Sequence, residues 1–158
     1  MKFVGYTTEF EGQVKIQPKL HPKIKEFLKK LAETRRMKRN LPKEIYGIEG
    51  EFFVDGKGMM GQDHDDPTII DYNQSPSTQP GLWVQWVVKS EGKNDYIEWD
   101  GGEKFYEYVA WLEYIINRVL KPNGYTCNGK IYWRGEEFSD MGTILVKDNE
   151  VTTYSGHT

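Results

Sequence analysis

A chain of 158 residues with 37% hydrophobic content suits one domain built around one core. Its single cysteine excludes an internal disulfide and a cysteine-rich zinc site, and no apolar run approaches the roughly 20 residues a membrane helix needs. The formal net charge of −3 conceals a split: residues 19–43 hold ten Lys/Arg against two Glu, a local +8, which leaves −11 for the rest.

Met1 to Thr8 lacks the apolar stretch of a signal peptide, so a reducing cytoplasm is the expected compartment. Residues 3–16 read as a strand region in which Val4, Tyr6, Thr8 and Phe10 alternate with other residues. Gly12 interrupts it before Val14 and Ile16 resume, and Pro18 closes it. A helix follows, with Pro22 near its start and Ile24, Phe27, Leu28, Leu31 and Ala32 as its apolar stripe. Ile45 to Val54 forms a second strand region ended by Asp55-Gly56. Residues 57–80 show little periodicity and read as a long irregular loop, a length that marks a functional or mobile segment.

Leu82 to Val88 is a strand, Glu91 to Asn94 its turn, and Asp95 to Trp99 the antiparallel return. The central element is a helix expected between Asp100 and Leu120. Phe105, Tyr108, Val109, Leu112, Ile115, Ile116 and Val119 recur at three- and four-residue intervals as one core-facing stripe, with Tyr114, Asn117 and Arg118 opposite. Asp100 and Glu103 have the spacing of a capping box, and Lys121-Pro122-Asn123-Gly124 stops the helix. Tyr125 to Trp133 alternates with period two. Thr143 to Val146 and Val151 to Tyr154 are joined by an Asp148-Asn149 hairpin turn, and residues 155–158 form a tail. The order predicts a single α+β domain, a largely antiparallel sheet of about six to seven strands packed against two helices.

Chemistry-bearing clusters are few. Gln62-Asp63-His64-Asp65-Asp66-Pro67, with Asp71 behind it, gathers four carboxylates and an imidazole. Such a loop can hold a hard divalent cation through oxygen, which makes a metal-dependent enzyme the rival functional class. It lacks the twelfth-position Glu of an EF-hand and a second histidine for zinc, so no metal or other cofactor is assigned. Glu49 and Glu51 share a strand face, and Arg134 is placed to pair with Asp140 across a turn. His21, His64 and His157 are scattered, and no phosphate loop, dinucleotide fingerprint or nucleophile elbow is present. Nucleic acid is a further alternative, through the basic segment that contains Lys29, Lys30, Arg35, Arg36, Lys38 and Arg39. Trp83 and Trp86 have odd separation and so make no common stacking platform.

Several stretches carry a family resemblance: Ile48 to Phe52, Asp71 to Asn73, Gln79 to Trp86, Trp99 to Phe105, Trp111 to Tyr114, and Trp133 to Glu137 with Val146 to Asn149. Over most of residues 45–154 the chain resembles a family of small proteins from bacteria and their phages that has no assigned activity. The resemblance implies a setting, a phage- or mobile-element-encoded protein that acts by binding a host protein, for example as an inhibitor of a defence system. The expected contact surface is the long loop, through Asp63, His64, Asp65, Asp66, Tyr72 and the adjoining Trp83, with the basic segment as the second candidate surface.

Overall fold

The computed structural model describes residues 5–42, 44, 54 and 67–156. The chain is α+β. Six strands, β1 (Glu9–Gln17), β4 (Trp86–Glu91), β5 (Asn94–Trp99), β6 (Thr126–Arg134), β7 (Met141–Lys147) and β8 (Glu150–Ser155), form one sheet in the order β4-β5-β1-β6-β7-β8. Every neighbouring pair in it is antiparallel. Two short strands, β2 (Lys38–Arg39) and β3 (Ile69–Asp71), pair separately. The expected strand over Ile45 to Val54 lies, apart from Val54, outside the described residues. Among those described, no helix is long and apolar enough to cross a membrane.

Helix α1 (Pro22–Glu33) follows the sequence reading closely. His21 occupies its N-cap and accepts from the Lys23 amide, Pro22 starts it, and Leu28 and Leu31 are buried against the sheet. The second helix, α2, differs from its expectation. It begins at Tyr108, not Asp100, runs regularly to Tyr114, then widens into a π-helical stretch, Ile115–Leu120, and ends in a 3₁₀ turn, Lys121–Asn123. Asp100 accepts from the Gly102 amide at 2.7 Å instead of capping a helix, and the Glu103 carbonyl accepts from Gln85 Nε2. Gly101, Lys104 and Glu107 all have left-handed φ values, 86°, 57° and 57°, so the chain turns against the helical hand three times before α2 starts. Phe105 is drawn out of the helical register into an aromatic cluster around Phe10, which meets the rings of Trp86, Trp99, Phe105 and Tyr108 at 4.8–5.8 Å in edge-to-face geometry. Tyr114, expected on the solvent side, is buried with its ring edge-on to Trp111 at 5.2 Å. The helix is therefore buried on two sides, which a single-stripe reading does not anticipate. Its stop is as expected: Gly124 is left-handed, and Asn123 donates its side-chain amide to the Val119 carbonyl.

Three further expectations change. Gly12 does not interrupt β1; it pairs with Ile131, and its missing side chain admits β6, since a Cβ there would stand 2.4 Å from the Lys130 carbonyl oxygen. The strand expected from Leu82 begins only at Trp86. Arg134 is exposed and does not hold Asp140; that carboxylate accepts from the Tyr6 hydroxyl at 2.7 Å and the Trp133 indole at 3.0 Å. Trp133 comes from the buried side of the hairpin and Tyr6 from the N-terminal segment beside it, whereas Arg134 points with the alternating residues to the open face.

The helices cover one face of the sheet. Val14, Ile16, Ile97, Cys127, Ile131, Ile144 and Val146 point to it, all nearly inaccessible, and meet Leu112, Ile116 and Leu120 of α2. The opposite face carries the alternating set, including Tyr96, Lys130, Tyr132, Leu145 and Tyr154.

Candidate functional site

After α1 the chain runs through Thr34 to Asn40 beside residues 68–82, and the main chain ties the two together. The Arg36 amide donates to the Leu82 carbonyl at 2.8 Å, Lys38 to Gln74 at 2.9 Å, and Asn40 to Thr68 at 2.7 Å. Side chains repeat the pattern. Arg35 lies over the Tyr72 ring at 4.1 Å and donates from Nε to the Tyr72 carbonyl at 3.0 Å. Arg36, 3% exposed, donates to Gln79 Oε1 at 2.9 Å, and Arg39, 5% exposed, reaches Thr68 Oγ1 at 3.3 Å. Guanidinium suits this work, because its rigid fork satisfies several acceptors while its stem packs against apolar neighbours. Asp71 closes the turn by accepting from the Asn73 amide.

One residue of each candidate surface of the sequence reading is thus brought together. Tyr72 of the loop sits under Arg35 of the basic segment, and Arg36 and Arg39 are internal tethers, so they offer no charge to a partner. Lys29 and Lys30 remain exposed on α1, in ion pairs with Glu33 at 3.4 Å and Glu26 at 3.8 Å. Asp63, His64, Asp65 and Asp66 lie outside the described residues, as do Glu49, Glu51 and His157. Among the described residues no group of three or more His, Cys, Asp and Glu is placed to hold a metal.

The tethering leaves a cleft of about 770 Å³ between the 73–85 segment and residues 103–107. Trp83 and Lys38, both from the sequence reading, line it. Gln85, Glu103, Lys104 and Tyr106 line it too, and sequence reasoning passed these over. Tyr106 is 55% exposed. The signal for this wall was Asp100-Gly101-Gly102, a loop signature that the helical spacing beyond it concealed. Gln85 fixes the wall to the sheet, donating to the Glu103 carbonyl at 2.8 Å and accepting from the Trp99 indole at 3.3 Å. Lys104 and Glu107 hold strained left-handed backbone in the same wall, a cost of about 1 kcal/mol or more each that packing must over-determine. Trp111 lies behind Gly81, with its indole nitrogen 3.4 Å from where a Cβ would stand there, and makes no hydrogen bond.

Chemically the cleft offers aromatic surface and mixed charge. No histidine or cysteine is among its described lining residues, and Ser75 donates its hydroxyl to the Gln79 carbonyl, so no nucleophile and base meet there. A second polar cluster sits at the same end of the sheet, where Asp140 gathers Tyr6 and Trp133. Burial above all, with Asp140 and Tyr6 nearby, pushes the Tyr108 hydroxyl up to about 12. It pins the 135–140 turn to the N-terminal segment through Tyr6, which also accepts from the Glu137 amide at 3.1 Å.

No protein family matches this chain. Nor does any curated protein or solved structure.

Proposed function

We propose that this chain is a non-catalytic protein-binding factor, phage- or mobile-element-encoded, that acts on a host protein such as a component of a defence system. The observation that carries the reading is the cleft beside the tethered loop. One irregular segment is bonded to the chain after α1 through main-chain and guanidinium groups, the other is held by the Gln85 amide, and between them they present Trp83 and Tyr106 in a hollow of about 770 Å³. Irregular segments on a rigid scaffold are where recognition concentrates, and aromatic residues dominate the energetics of protein contacts. Lys38 and Lys104 stand beside Glu103 and Glu107 at the rim, so the surface is balanced in charge and suits a mixed protein surface better than a polyphosphate. The burial of Arg36 and Arg39 removes two cations from the basic segment, which weakens it as a nucleic-acid face.

The test is affinity capture from bacterial lysate with three folded baits: the natural chain, Trp83→Ala/Tyr106→Ala, and Lys29→Ala/Lys30→Ala. A host protein retained by the first and third baits and lost by the second is the expected result. Retention by the cleft variant with loss by the lysine variant would move the contact to α1 and overturn the assignment.

A further inference from the structure

The two edges of the six-stranded sheet are finished differently. At one edge α1 packs over β4, Lys25 donates to the Ser90 hydroxyl, and the strand carries Lys89 and Glu91, which are ordinary devices against edge pairing. Among the described residues, β8 at the other edge has no covering element, proline or bulge, and its only charge is Glu150, at its first position.

The phase of the ladder fixes which groups β8 leaves open. The hairpin turn Asp148-Asn149, with φ values of 48° and 73°, makes Lys147 and Glu150 the closing pair. The Gly156 amide donates to the Met141 carbonyl at 2.8 Å, in phase with it. Bonds to β7 therefore belong to Glu150, Thr152 and Tyr154, and the N–H and C=O groups of Val151, Thr153 and Ser155 point away from the sheet. Tyr154, 52% exposed, and Tyr132, 47% exposed, flank Thr143 in one row across the open face at this edge.

We infer that β8 pairs antiparallel with β8 of a second copy, across a twofold axis at Thr153. That register satisfies the outward residues of both copies: Val151 faces the second copy's Ser155, and Thr153 faces itself. Each such pair exchanges two bonds, about six in all. It also sets Tyr154 against the second copy's Thr152 at the non-bonded positions, where side chains come closest and an aromatic beside a β-branched residue is favourable. Glu150 falls opposite the second copy's Gly156, so no like charges meet. An unrelated partner strand could use the same edge; what favours a second copy is that this one register sets Tyr154 against Thr152 and keeps Glu150 from a like charge. Two six-stranded sheets become one continuous sheet.

Sedimentation equilibrium on the natural chain tests this, with Thr153→Glu and Thr153→Lys measured alone and in equimolar mixture. Thr153 is exposed and occupies a non-hydrogen-bonded position opposite Ile144, so both variants are expected to keep the native circular dichroism. The natural chain is expected at twice its 18.5 kDa mass, and each variant alone as monomer, because like charges then meet on the axis. The mixture should recover the dimer. A natural chain that stays monomeric at its highest soluble concentration overturns the inference, and so does a dimer that persists in both variants alone.

Discussion

Asp95 is 1% exposed and holds the chain before α1 onto β5. Its Oδ2 accepts from the buried Leu20 amide at 2.8 Å, its Oδ1 accepts from the Ser90 hydroxyl, and Lys19 stands 3.7 Å away. Hydrogen bonds to a charged group contribute about 1.5–3 kcal/mol each, while the Lys19 pair adds about 0–1 because its ammonium is largely in water. Asp95→Ala should therefore cost about 3–5 kcal/mol, part of it from the Leu20 amide left buried without an acceptor. Asp95→Asn keeps one oxygen to accept from that amide, but it loses the charge and puts an NH2 donor where the Ser90 hydroxyl donates, so about 1–3 kcal/mol is expected. Burial by itself would raise this carboxyl, but Ser90, the Leu20 amide and the ammonium groups of Lys19 and Lys25 outweigh it and hold Asp95 below its ordinary value of 3.8. The folded value thus lies under the unfolded one. The stabilisation is complete above 3.8 and is lost as the pH falls through the depressed folded value. Urea unfolding of the natural chain and of Asp95→Asn, from neutral pH downward, checks this. The gap between their midpoints should narrow once the pH drops below 3.8. A gap that is absent at neutral pH, or that stays unchanged at the acid end, refutes the reasoning.

Leu112 is wholly buried at the centre of α2, so Leu112→Ala should lower stability by about 2–5 kcal/mol; an unchanged denaturation midpoint would contradict its place in the core. Gly129 lets β1 approach β6, and a Cβ there would come 2.4 Å from the Gln13 carbonyl oxygen, so Gly129→Ala should cost at least about 1–3 kcal/mol by thermal melt. Cys127 is wholly buried, and burial pushes its thiol up to about 12. It should resist a thiol reagent in native buffer and react at once in denaturant; rapid native labelling would show that β6 opens.

The alternating and helical patterns carried most of the architecture. Tyr125 to Trp133 folds as an alternating strand because its neighbours on both sides pair with it, and the Asp148-Asn149 turn is where its residue types require left-handed backbone. The start of α2 was misplaced because Asp100 and Glu103 form a capping signal at short range. That signal loses to the pull of Phe105 toward Phe10 and Trp86, which no local window contains. β2 and β3 are two and three residues long, too short for any period to register. Charge was the least legible property at the site. Composition counts Arg36 and Arg39 as a basic surface, and only the fold shows that Gln79 and Thr68 take them inside.

Strand β1 sits between β5 and β6, its only two neighbours, and both are made long after it. During synthesis it therefore emerges first with both edges bare, while β4-β5 and β6-β7-β8 can each zip from their own tight turns. Joining these two locally built halves waits on a strand that has been in solution longest, and closing such long loops slows folding far more than it lowers stability. Its charged and polar alternation, Glu9, Glu11, Gln13 and Lys15, then acquires a second meaning. Those side chains keep a naked central strand soluble until its partners arrive.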